Sequence, residues 1–120
     1  MGRRGRRHER LRAPLSDYTD AQGNVLSLRG SLTPGARREY AEALMGTSAR
    51  AADTREDTRQ RAMELLFERL AVRWVIAGAP IERQRELLAR LRVASPEERV
   101  WVRQTLREHC AEHFPDIESP

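Results

Sequence analysis

The chain has 120 residues, of which 39% are hydrophobic and 33% charged, with a formal net charge of +4. This length fits one domain with a single core, and the low aromatic share of 5% favours a helix-rich fold over an all-β sandwich. All 22 cationic residues are arginines, whose side chains stay charged at any accessible pH.

The single cysteine, Cys110, excludes an internal disulfide and is typical of a reducing compartment. The longest apolar run, residues 70–77, is interrupted by Arg73 and is too short to span a membrane. The arginine pairs at the start are not followed by the apolar segment of an export signal. We therefore expect a cytoplasmic protein without a membrane contact.

The positive charge is concentrated at the start of the chain. Residues 1–12 carry six arginines and one glutamate (+5), whereas residues 13–120 carry sixteen arginines and seventeen acidic residues (−1). Residues 1–14 lack hydrophobic periodicity and carry dense like charge, which predicts a disordered basic arm. Such an arm can neutralise phosphates without reading sequence. Its arginines are Arg3, Arg4, Arg6, Arg7, Arg10 and Arg12.

The only predicted strands lie within about residues 15–29. Two short alternating segments flank Asp20–Gly23, where aspartate at the first position and glycine at the fourth fit a type I turn with a glycine bulge. The sequence therefore predicts an N-terminal β-hairpin. An isolated hairpin is marginal in water, so we expect it to pack on a helix or another strand.

Helix signals follow the hairpin. Thr33-Pro34 is a capping residue followed by proline, Gly78 is a stop signal, and Ser95-Pro96-Glu97-Glu98 is a strong start signal. The resulting fold class is mainly α: a four-helix domain over residues 15–115 with a hairpin, the disordered arm and an irregular tail over residues 116–120. The predicted helices cover about residues 34–45, 54–77, 80–92 and 96–113.

The second predicted helix has two apolar stripes. At about 100° per residue, one stripe contains Met63, Leu66, Phe67, Leu70 and Trp74, as expected for a core-facing side. The opposite stripe is either covered by a second neighbour or exposed to a partner, since an apolar centre with a charged rim is typical of protein interfaces. It consists of Leu65, Val72 and Ile76, bordered by Arg69 and Arg73.

Residues 109–113 match the H-x-x-E-H pattern of some zinc proteases. A catalytic zinc needs a third protein ligand, and the pattern lies in the last turn of its helix beside core positions, so we predict no metal site. Cys110 lacks an activating His–acid pair and is predicted to be a buried, inert thiol. No glycine-rich nucleotide loop is present. The sequence therefore predicts no catalytic residue and no cofactor.

The last predicted helix carries Arg99, Arg103 and Arg107 on one ridge, which is typical of a solvated face. Trp101 falls off the core stripe, so either the hairpin covers it or it belongs to a binding surface. Glu97 and Glu98 would repel phosphate at the end of the helix that a helix-turn-helix protein inserts into DNA.

From these features we expect a small non-enzymatic protein–protein interaction module, such as an adaptor, assembly factor or regulator. A homodimer is one form that such contacts take. The alternative is nonspecific nucleic-acid association through the arm. The candidate partner contacts are Leu65, Arg69, Val72, Arg73, Ile76 and Trp101.

Overall fold

The computed structural model describes residues 14–46 and 55–120, so the predicted arm lies outside the described residues except for Pro14. Two strands open the described chain, four helices follow within the described residues, and a second pair of strands separates the second helix from the third. In chain order the elements are β1 (Leu15–Thr19), β2 (Val25–Arg29), α1 (Pro34–Met45), α2 (Arg55–Leu70), β3 (Ala71–Ile76), β4 (Ala79–Ile81), α3 (Gln84–Arg92) and α4 (Pro96–His113).

The mainly α prediction is wrong, because the described chain forms an α+β fold with a four-stranded antiparallel sheet in the order β1-β2-β3-β4. The helix predicted over residues 54–77 ends at Leu70, and the chain continues directly into β3. Valine, isoleucine and tryptophan dominate residues 72–76, and β-branched and aromatic side chains favour strands. The helix predicted over residues 80–92 begins only at Gln84, since residues 79–81 form β4.

A tight turn joins β3 to β4. Ala77 and Gly78 both have positive φ, 50° and 80°, as in the two-residue hairpin turns that match the twist of the strands. The N–H of Ala77 donates to Oδ1 of Asn24 at 3.0 Å. Asn24 lies in the turn between β1 and β2, so the two hairpin turns are joined at the same end of the sheet.

The predicted hairpin is present, and it forms half of the sheet. Its turn is held by Asp20, whose Oδ1 accepts from the N–H groups of Gln22 and Asn24 at 2.9 Å each. β2 continues the sheet by pairing with β3. Leu28 is opposite Ala71 and Ser27 is opposite Arg73, so Val72 is the extra residue of a β-bulge.

Helices pack on one face of the sheet, here called the inner face. Leu26, Leu28 and Trp74 point to it and are at most 1% exposed. The Phe67 ring of α2 lies edge-on to Trp74 with their centroids 5.7 Å apart. The largest buried helix side chains of this core are Tyr40, Met63, Leu66, Phe67, Leu70, Leu87, Leu91 and Leu106.

Residues after α4 form no regular element but are fixed to the helices. The hydroxyl of Tyr40 donates to the carbonyl of Glu118 at 2.6 Å, and Nη1 of Arg37 pairs with Asp116 at 2.8 Å. Phe114 is 2% exposed and belongs to the core. No described helix is long and apolar enough to cross a membrane.

Candidate interaction surface

Strand alternation gives the sheet a second face, here called the open face. The helix side chains that reach the sheet meet the inner face: His109 of α4 contacts Tyr18, and the guanidinium of Arg90 in α3 lies 5.3 Å from the Trp74 ring centroid. The side-chain contacts of the open face run between strands or to the residue after β4. Among the described residues, the helices therefore leave this face uncovered.

A largely apolar row crosses the open face. Thr19 is opposite Val25, Val25 is opposite Val75, and Val75 is opposite Pro80. The two valines are half-buried, while Thr19 and Pro80 are exposed. The row therefore touches all four strands and presents methyl and ring carbons to the outside.

A polar row lies beside it. The hydroxyl of Ser27 donates to Oδ1 of Asp17 at 2.6 Å, and Nε of Arg73 lies 3.5 Å from Oε1 of Glu82. Arg29 is exposed at the end of β2 on the same face. Asp17, Arg73 and Glu82 therefore border the apolar row, Arg29 lies farther along the same face, and the formal charges of these four side chains cancel.

Among residues 14–46 and 55–120, the backbone groups on the outer edge of β1 have no partner. The N–H of Gly30 donates to the carbonyl of Pro14 at 2.7 Å, and the N–H of Asp20 donates to the carbonyl of Asn24 at 2.9 Å. Because bonding alternates along an antiparallel pair, the even-numbered residues of β1 bond to β2. The N–H and C=O groups of Leu15, Asp17 and Thr19 therefore point away from the sheet.

The edge of β4 is different. Its two-residue turn makes Ile76 and Ala79 a hydrogen-bonded pair, so the next residue, Pro80, has its backbone nitrogen on the outer side. Proline has no N–H, and β4 has only three residues. This edge cannot accept a further strand in regular register.

The second apolar stripe predicted for the helix over residues 54–77 does not exist as one surface. Leu65 lies on α2 and Ile76 on β3, and both are packed partly against the core. Arg69 in the last turn of α2 pairs with Glu39 at 2.8 Å. Val72 is the bulge residue, and Arg73 lies on the open face. Their role as partner contacts remains a prediction.

Trp101 is partly covered by the hairpin, and its place in a binding surface stays a prediction. It is half-buried and packs against the core. It also lines a cleft of about 570 Å³ between the β1–β2 turn and the start of α4. The turn residues Asp20, Gln22 and Asn24 form the opposite wall, so the hairpin covers Trp101 only in part.

The arginine ridge of α4 joins helices and the chain end, instead of facing solvent alone. Arg99 donates to the carbonyl of Arg92 at 2.6 Å, and Arg107 donates to the carbonyl of Pro120 at 2.9 Å. Between them, Arg103 contacts Glu56 and Gln60 of α2, each at 3.0 Å. These contacts give the ridge a structural role.

The H-x-x-E-H segment also has a structural role. Nδ1 of His109 accepts from the Tyr18 hydroxyl at 2.8 Å, and Nε2 donates to the carbonyl of Arg29 at 2.6 Å. Burial lowers the pKa of His109, although its bond to the Arg29 carbonyl opposes that shift. His109 is therefore neutral at pH 7 with both nitrogens engaged. Over the described ranges, no three His, Cys, Asp or Glu side chains come together as metal ligands.

Cys110 is 2% exposed, and burial raises the pKa of its thiol to about 11. A thiol in this state is a poor nucleophile, because the thiolate is the reactive form.

Sequence reasoning missed the open face because it placed residues 71–77 in a helix. The available signal was the density of β-branched and aromatic residues in 72–76, followed by Gly78. Once these residues form a strand, Val75 joins Val25 on one face and Trp74 joins Leu26 on the other.

Comparison with protein-family models, curated proteins and solved structures gives no match for the chain.

Proposed function

We propose that this protein is a small, non-enzymatic protein-interaction module whose partner binds the open face of the sheet. The observation that supports this proposal is the apolar row Thr19–Val25–Val75–Pro80, which no described helix covers. A sheet normally buries an apolar face against another layer. An apolar strip bordered by polar side chains on the outside of a domain is typical of a binding surface.

The charges around the row favour a protein partner at this face. Asp17 and Glu82 balance Arg29 and Arg73, whereas nucleic-acid surfaces carry an excess of positive charge to neutralise phosphates. A rim of both signs can pair with a protein surface of mixed charge, which contributes more to specificity than to affinity.

The absence of enzymatic activity is part of the proposal. The residues best suited to catalytic chemistry, His109 and Cys110, are buried in contacts that stabilise the fold. The cytoplasm is the proposed location, because the lone cysteine is a buried thiol, a form that a reducing compartment preserves.

Two valine substitutions test the proposal. Val75→Glu places a charge in the middle of the row, and Val93→Glu makes the same change at a valine that is 77% exposed after α3. The immobilised wild type and both variants, each with wild-type circular dichroism, are incubated with the same cell extract. We expect proteins that bind the wild type and Val93→Glu but not Val75→Glu. Identical sets on all three proteins would contradict a role for the open face.

A second candidate function, nonspecific nucleic-acid association, is supported by the charge of residues 1–12, which lie outside the described residues. Their net charge of +5 is sufficient to release several counterions from a duplex. The arginines that would do so are Arg3, Arg4, Arg6, Arg7, Arg10 and Arg12.

A further inference from the structure

We propose that two copies of this chain pair through their β1 strands across a two-fold axis and form a closed dimer with one continuous sheet. This inference rests on the proposed function, since it makes a second copy the first partner of the sheet. The contact it adds is made by backbone groups at an edge, whereas the proposed function concerns side chains on the open face.

The two edges of the sheet explain why pairing would stop at two copies. On β1, the outward N–H and C=O groups of Leu15, Asp17 and Thr19 can bond to another strand. On β4, Pro80 removes the outward N–H and the strand is short. A chain with one pairing edge forms an isologous dimer, whereas two pairing edges would permit an open filament.

Symmetry restricts the register. Directly opposed residues of an antiparallel pair point to the same face, so the two-fold axis passes through a residue and not between residues. An axis at Asp17 would place this carboxylate opposite its own copy, and like charges in that position are destabilising. An axis at Ser16 would place Leu15 opposite Asp17 of the second copy, which offers the carboxylate no donor.

An axis at Tyr18 gives complementary pairs. Asp17 then lies opposite Thr19 of the second copy, in the type of pair that exchanges both backbone hydrogen bonds. Oδ1 of Asp17 already accepts from Ser27, so Oδ2 is left for the Thr19 hydroxyl. The two Tyr18 side chains meet on the inner face, and each is only half-buried in its own chain, so aromatic contact adds to the backbone bonds.

The first experiment measures the mass of the full chain by light scattering over a range of concentrations. We expect the wild type to reach twice the chain mass of 13.8 kDa. Thr19→Pro removes an outward N–H that has no partner within its own sheet, and should remain at the single-chain mass with wild-type circular dichroism. Thr19→Ser keeps both the N–H and the hydroxyl and should still dimerise. A wild type that stays monomeric at all concentrations would overturn the proposal.

The second experiment tests the register and does not depend on the proline variant. A mixture of Asp17→Cys and Thr19→Cys chains should form a mixed disulfide under mild oxidation, because a hydrogen-bonded pair places Cα atoms about 5.5 Å apart. Neither chain should cross-link efficiently with itself, and the native Cys110 is buried. Efficient self-linking of Asp17→Cys alone would overturn the Tyr18 axis.

The two proposals fail separately. A monomeric wild type that still binds proteins in a Val75-dependent manner would remove the dimer and leave the proposed function intact. A dimer that binds other proteins equally well with and without Val75→Glu would support the pairing of β1 strands and contradict the proposed function of the open face.

Discussion

The hydroxyl of Tyr18 donates a hydrogen bond to Nδ1 of His109 at 2.8 Å, which joins the edge strand β1 to α4. The other ring nitrogen of His109 donates to the carbonyl of Arg29 at the end of β2. One fully buried imidazole thus holds both strands of the first hairpin to the helical layer. This contact stabilises the strand whose outer edge we propose as a pairing surface.

Removing the Tyr18 hydroxyl should lower the free energy of unfolding. Tyr18→Phe leaves Nδ1 of a buried imidazole without its donor, and an unsatisfied buried acceptor costs about 1–3 kcal/mol. Urea denaturation should therefore give a lower free energy of unfolding than the wild type by that amount. Val93→Thr, at a position that is 77% exposed after α3, is the control and should change it by less than about 0.5 kcal/mol. Equal stability of Tyr18→Phe and wild type would exclude this role of the bond.

The stability of the fold should fall as the pH falls below the usual histidine range. Burial lowers the pKa of His109 in the folded chain, so just below about pH 6.5 the unfolded chain binds a proton that the folded chain does not. His109 therefore contributes no pH dependence above that value and destabilises the fold below it.

The pH dependence is measured by urea denaturation between about pH 7.5 and pH 5. His109→Gln has no titrating group at this position, so its free energy of unfolding should fall less than that of the wild type. If both proteins lose the same free energy over this interval, the titration of His109 is not responsible.

The turn between β3 and β4 provides a test of the corrected fold. Ala77 has a φ of 50°, a region that asparagine adopts more readily than alanine, so Ala77→Asn should raise the free energy of unfolding by about 0.5–1 kcal/mol. Gly78→Ala should lower it by about 1 kcal/mol, since φ there is 80°. If residues 54–77 were one helix, Ala77→Asn would be destabilising, because asparagine is the poorer helix former.

Local signals explain which parts of the fold the sequence predicts. α1 and α4 occupy the predicted ranges because their caps are local: Thr33 accepts from the N–H of Ala36, and Ser95 and Glu98 form a reciprocal capping box. The end of α2 has no such signal, since neither Leu70 nor Ala71 breaks a helix.

The change from helix to strand at that point is decided by long-range pairing. β3 bonds to β2, which lies far away in sequence, and single-sequence periodicity does not report such contacts. The open face and the proline-blocked edge both depend on β3 and β4, for which the density of β-branched and aromatic residues in 72–76 is a weaker signal than the helical periodicity that precedes it. The burial of Cys110 follows from its position beside core residues of the last predicted helix, and its side chain is 2% exposed.

The arm should account for any nonspecific binding to nucleic acid. If all six arginines of residues 1–12 contact phosphates, the slope of log K against log salt concentration should be about −5 for duplex DNA. A chain lacking residues 1–12 should lose this binding, and fluorescence anisotropy with an arbitrary duplex measures both quantities. Undiminished affinity after the deletion would remove the arm from the explanation.

Residue-resolved amide hydrogen exchange of the full chain tests the central claim, that a second copy of the chain pairs along the outer edge of β1. In dilute solution the outward N–H groups of Leu15, Asp17 and Thr19 should exchange rapidly, while those of Ser16 and Tyr18, bonded to β2, are protected. At high concentration we predict that the three outward amides become protected together. Continued rapid exchange of all three at every concentration, with the rest of the sheet protected, would contradict the claim.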